Sequence, residues 1–262
     1  MENKKNDLSN KFHWVYLTGF FFILFLPLLN VPPWFSPPDW GKTILFRSVL
    51  SILIFIFLYT LLRGDLPVGK LYFLKKSKLF WTLIVFFILF FLATIFSADR
   101  LFSFWDSPGR AVGFLNLSFF IIFSLLAAIL IKKSDWRKIF DFSIIIGVLV
   151  SIVALFQQFK IFSKIFIFFE TRPPSTIGGP IFLGIYLLIL SFLALSLGIK
   201  EKRLKRRAFY FTAFLLFLFV IILTGSRAAW AGLILGILYF FIFFPLKTIK
   251  LKIALASVLF FC

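Results

Sequence analysis

Acidic side chains, histidine and cysteine are all scarce in this chain, with ten Asp and Glu, one His and one Cys in 262 residues. The lone Cys262 cannot close a disulfide within the chain, so cysteine usage leaves the redox compartment unread. No Asp, Glu, His and Cys residues recur at metal-ligand spacing, so no metal motif is present and none is expected as a cofactor. There is no Walker phosphate loop and no dinucleotide fingerprint. The only histidine, His13, falls at the edge of the first apolar run and reads as an interfacial residue rather than a catalyst. Carboxylates are missing from the middles of the apolar runs too, with Asp141 near the start of the fifth as the one borderline case. An ion-coupled transporter usually carries buried carboxylates near the midplane, so this scarcity argues against such transport.

Apolar residues are what the chain has in excess: 61% of positions are hydrophobic and 43 are Phe, more apolar surface than a soluble domain of this length hides. The solvent is therefore lipid, and a backbone in lipid must satisfy its own hydrogen bonds as helices or a closed barrel. The apolar runs are continuous and lack period-two alternation, which selects helices. The fold class expected is an all-α, polytopic transmembrane bundle, with residues 1–262 forming a single membrane domain. A formal charge of +19 would suggest nucleic acid in a soluble protein. Here Lys and Arg mark the cytoplasmic ends of spans, and the bilayer, not nucleic acid, is the partner they imply. The polar, basic residues 1–11 lead into an apolar run as a signal peptide would. That run is followed by Pro27, Pro32 and Pro33 rather than by a small-residue cleavage site, so it reads as an uncleaved first span.

Full spans are predicted at about 14–29, 44–62, 79–96, 114–131, 139–159, 181–199, 208–224 and 228–244. A ninth begins near Ile253 and reaches Cys262. Ten residues of helix rise about 15 Å, roughly half the hydrocarbon core, so the chain is expected to be the N-terminal fragment of a longer protein. With the N-terminus inside, 21 Lys and Arg fall on the inner side and 8 on the outer, which sets a cytoplasmic N-terminus and a multi-pass protein of the inner (cytoplasmic) membrane.

The few outer cations need a reason. The outer segment 30–43 is rich in Pro and holds Trp34 and Trp40, which read as an interfacial aromatic belt. In segment 97–113, Arg100 and Arg110 flank Trp105 and Asp106, a mixture that suits sugar faces and hydroxyls or, alternatively, a belt Trp with surface ion pairs. Segment 160–180 opens with a stretch too short to span, with Lys160 and Lys164 on one helical face, expected to lie in the outer interface. It continues through Glu170, Arg172, Pro173 and Pro174 to Gly178, Gly179 and Pro180. Pro and Gly impose an irregular backbone there and leave amides free to meet an anion; a connector with a local Glu170–Arg172 pair is the plainer reading.

The most informative feature is the turn Leu223-Thr224-Gly225-Ser226-Arg227, set between two long apolar runs with almost no loop around it. Ala228, Ala229, Gly232 and Gly236 follow, and small residues at that spacing let one helix face press closely on a neighbour. Such packing would hold Arg227 on a rigid support. From spacing alone Arg227 is either a functional cation or one that snorkels from a span end.

Three segments in order resemble the O-antigen ligase and polymerase family of polytopic bacterial membrane proteins. The family's loop Ser…Trp-x-x-x-x-Arg-x-x-Gly is similar to Ser103, Trp105, Arg110 and Gly113. Its Arg…Thr-[Phe/Leu]-Gly-Asn-Pro-Asn segment is similar to Arg172, Thr176, Gly178 and Pro180, with Gly179 and Ile181 where the family has Asn. Its hallmark Leu-Thr-x-Ser-Arg is similar to Leu223, Thr224, Ser226 and Arg227. The resemblance implies metal-independent transfer of a glycan from polyprenyl pyrophosphate to a hydroxyl of a glycan or lipid acceptor, on the outer face of the membrane. It implies Arg227 as the catalytic cation that neutralises the pyrophosphate, with Arg172, Arg110, Trp105, Ser226 and Gly178 in substrate binding. The family's His, its general base, and a second essential Arg lie in a large outer loop beyond the point where this chain ends, so the fragment is expected to be inactive alone. A lipid-linked oligosaccharide transporter or flippase is the alternative, because it explains the outer Arg residues without a catalytic base.

Overall fold

The computed structural model describes residues 2–29, 38–63, 77–106, 113–161 and 172–243. The apolar stretch from Ile253, most of segment 30–43 with Trp34, the interfacial residues 162–169 with Lys164, Glu170 of the predicted Glu170–Arg172 pair, and Arg110 lie outside them. Nine α-helices are described: α1 (Glu2–Phe25), α2 (Pro38–Leu62), α3 (Lys78–Ile95), α4 (Arg100–Trp105), α5 (Phe114–Leu130), α6 (Lys133–Gln158), α7 (Pro180–Lys200), α8 (Leu204–Thr224) and α9 (Arg227–Phe243). The described residues contain no strand. All-α architecture is therefore observed, and each apolar run predicted within the described residues falls on a helix. Five stretches are long and apolar enough to cross a membrane: Gly41–Leu62, Lys78–Ile95, Lys133–Gln158, Pro180–Lys200 and Leu204–Thr224. Phe12–Leu28, Phe114–Leu130 and Arg227–Phe240 are apolar but shorter.

Hydroxyl groups inside these helices are satisfied locally, as a lipid-facing backbone requires. Thr82 donates to the Lys78 carbonyl, Thr94 to Phe90, Ser118 to Phe114, Ser151 to Gly147 and Ser196 to Phe192, each one turn back.

The helices fall into two compact units, Met1–Ile139 and Phe140–Cys262. In the first, α1 crosses α2 where Gly19 lies under Leu53; a Cβ on Gly19 would sit 2.7 Å from the Leu53 side chain. The start of the apolar stretch Phe12–Leu28, in the middle of α1, lies beside the end of α2, with the Tyr16 and Thr60 hydroxyls 3.1 Å apart. The starts of α2 and α5 meet, Arg47 Nε donating to Asn116 Oδ1 at 3.3 Å. Phe46 stacks on Phe120, and Phe20 packs against Phe123, filling the space between α1, α2 and α5. The peripheral helix α3 buries none of its residues and touches its neighbours chiefly through Phe87 and Phe91 against Phe114. His13, the only histidine, donates from Nε2 to Asp135 Oδ2 at 2.8 Å, and Lys138 Nζ donates to Asp135 Oδ1 at 2.9 Å. The nearly buried Asp135 carboxylate thus ties the middle of α1 to the first turn of α6.

In the second unit α7 and α8 form an antiparallel pair joined at Glu201–Arg203, where Glu201 Oε1 accepts from the Lys202 and Arg203 amides. Gly147 of α6 admits Leu190 of α7 and Phe217 of α8. The Tyr210 hydroxyl of α8 donates to Asp141 Oδ1 at 2.6 Å, so the borderline carboxylate of the sequence is engaged at the start of α6. On α9 the small residues turn toward α7: Gly232 lies 2.6 Å (as a notional Cβ) from Leu188, Gly236 lies against Phe192, and Ala229 is fully buried. Ala228 is exposed, so the packed face runs through Ala229, Leu233 and Ile237.

Candidate functional site

The turn between α8 and α9 is fixed by its own hydroxyls. Thr224, fully buried, donates to the Ile221 carbonyl at 2.7 Å and accepts from the Ser226 amide at 3.3 Å. Gly225 closes α8 in the left-handed region at φ 57°, where a side chain is disfavoured. The Ser226 hydroxyl accepts from the Ala229 amide at 3.4 Å, an N-cap that starts α9, and its 3% exposure places it inside the turn. Arg227 is then the first residue of α9, exposed at the tip.

The segment before α7 descends along α6. Ser175 Oγ donates to the Val150 carbonyl at 2.6 Å. Val150 lies eight residues before the end of α6 at Gln158, roughly 12 Å along the axis at about 1.5 Å per residue. The Ser175 amide donates to Gln157 Oε1 at 2.7 Å, and Gln157 Nε2 donates to the Ser175 carbonyl at 3.4 Å. Ser175, at φ 54°, is buried, and so is Gln157. Every polar group of Ser175 is thereby paired, which is the condition for irregular backbone at depth in a membrane protein. Gly178, at φ 98°, completes the turn, and Gly179 precedes α7.

These two pieces meet. The Arg172 Nε lies 3.4 Å from the point a Cβ on Gly225 would occupy, so the guanidinium rests against the turn that presents Arg227. Gly184, one turn into α7, faces Thr224, Ser226 and Ala229, its notional Cβ 3.0 Å from that of Ala229. The N-termini of α7 and α9 are adjacent as a result, and both present the positive ends of their dipoles. Arg172 and Arg227 are exposed, and neither is paired with a carboxylate among the described residues. The Arg172 guanidinium against the turn that leads into Arg227, with two helix N-termini close by, is a setting that suits an anion.

Of the residues predicted for the site, Arg172, Gly178, Ser226 and Arg227 are gathered at this end of the second unit. Trp105 belongs to the first unit, exposed at the end of α4 with its ring edge-on to Phe104. Arg110 lies outside the described residues. Gln157, and its pairing with Ser175, escaped the sequence reading. The signal for Gln157 was present: an amide side chain in the last turn of an apolar span is costly unless something pairs with it. Among the described residues no group of three His, Cys, Asp or Glu could hold a metal ion. No family model, curated protein or solved structure matches the chain.

Proposed function

We propose that this chain binds the donor in a membrane glycosyltransferase reaction of the O-antigen ligase and polymerase type, which moves a glycan from polyprenyl pyrophosphate to a hydroxyl of a glycan or lipid acceptor at the outer face of the cytoplasmic membrane. The observation that carries this reading is the Arg172 side chain lying on the Gly225 turn that leads into Arg227. Two cations with no carboxylate partner among the described residues then serve one polyanion. In the reaction the acceptor hydroxyl gives up its proton to a base and its oxygen bonds to the anomeric carbon, as the bond from that carbon to the pyrophosphate oxygen breaks. Negative charge grows on the departing phosphate oxygens, and preorganised guanidinium donors aimed at them lower the barrier. The surplus of inner over outer cations, 21 against 8, supports a cytoplasmic N-terminus, and with it an outer position for the turn after about seven spans.

Arg227→Lys, made in the gene in its native cells, tests the reading. A lysine keeps the charge but loses the fork. The expected result is loss of glycan transfer with membrane expression unchanged. Normal transfer by that variant would remove Arg227 from the mechanism, and movement of the lipid-linked sugar across the bilayer without transfer would favour a flippase.

A further inference from the structure

Gln157 has a place in the second unit that no motif of the chain assigns. Its side-chain amide reads the backbone of Ser175 as a neighbouring strand would, accepting from the N–H at 2.7 Å and donating to the carbonyl at 3.4 Å. Both residues are buried, where such bonds are strong and an unmade one is costly. A third bond, from Ser175 Oγ to the Val150 carbonyl, fastens the same residue to α6. Between Ser175 and Arg172 stand only Pro173 and Pro174, both buried. Proline fixes φ near −65°, so this pair is a short stiff strut rather than a hinge. At its far end the Arg172 side chain meets the Gly225 turn.

We infer that Gln157 is a positioning residue for the anion site: it bolts Ser175 to α6, and the diproline strut carries that constraint to Arg172, holding its guanidinium beside Arg227. This deepens the donor-binding reading and rests on it. A flexible Arg172 would lose rotamer freedom on each binding event, whereas an anchored one has lost it beforehand. The clamp therefore acts on recognition of the pyrophosphate and leaves recognition of the hydrocarbon tail alone.

The test compares farnesyl pyrophosphate with farnesol binding to the purified full chain in detergent, by calorimetry, for the wild type and three variants. The wild type should prefer the pyrophosphate. Gln157→Met, of similar volume but unable to pair with Ser175, should lower that preference by about tenfold while farnesol binding stays unchanged. Ser175→Pro removes the amide that Gln157 accepts from and forbids the positive φ, so it should behave the same way. Ser175→Gly keeps both backbone bonds and relaxes the φ, and should hold the preference to within about threefold. A loss of farnesol and farnesyl pyrophosphate binding in equal proportion would assign Gln157 a purely structural part and overturn the inference. So would an undiminished preference in Gln157→Met. A wild type that does not distinguish pyrophosphate from alcohol would instead sink the donor-binding reading, and the clamp with it.

Discussion

Gly225 is the residue on which backbone geometry and site chemistry meet. Its φ of 57° is one that other residues reach only at a cost, and its open side is occupied by Arg172. Gly225→Ala should destabilise the second unit by roughly 1–2 kcal/mol and displace the Arg172 side chain, lowering the melting temperature and weakening pyrophosphate binding together. A melting temperature equal to wild type would mean that the turn is not left-handed. Asp135 is the counterpart in the first unit. Asp135→Ala would leave His13 and Lys138 without their acceptor and should cost about 1–3 kcal/mol in thermal unfolding, with no change in pyrophosphate binding. At this scale Arg227 was legible because Gly, Ser and a run of small residues punctuate the sequence around it. The Gln157–Ser175 pair was not, because the partners stand 18 residues apart and only the return of the chain along α6 brings them together.

The helices were the most legible level, since lipid leaves a continuous apolar run few alternatives. What hydropathy did not tell was which helices are packed. α3 and α7 are equally apolar, yet none of the α3 span is buried against 44% of the α7 span. The difference lies in small residues. Along α7 the positions Gly184, Ser191, Ala194 and Gly198 are buried and let neighbours approach, whereas α3 is built mostly of Phe, Leu and Ile. The same logic makes α9 sensitive on one face alone. Gly236→Leu pushes into Phe192 and should cost about 1–3 kcal/mol, while Ala231→Leu on the exposed face should stay within about 0.5 kcal/mol of wild type. Equal melting temperatures for the two variants in detergent would mean that α9 does not pack on α7 through its glycines. The small-residue spacing after Arg227 foretold a packed face: Ala229, Gly232 and Gly236 meet α7, while Ala228 is exposed.

For the molecule as a whole, sidedness tests the proposed function, because a carrier-linked glycan awaiting transfer would be on the outer leaflet. Charge counting predicts the side, and the pairings within each unit are the ones an alternating path requires: the start of the apolar stretch of α1 with the α2 end, the first half of α2 with the α5 start, the first third of α6 with that of α8. The most direct measurement is the labelling of Ala228→Cys, in a Cys262→Ser background, by a membrane-impermeant thiol reagent on intact cells and on inverted vesicles. Ala228 is exposed and next to Arg227. The expected result is labelling from the outer side only, slowed by added polyprenyl pyrophosphate and indifferent to polyprenol. Labelling from the cytosolic side, or a rate that the pyrophosphate does not change, would contradict an outward-facing donor site at Arg227.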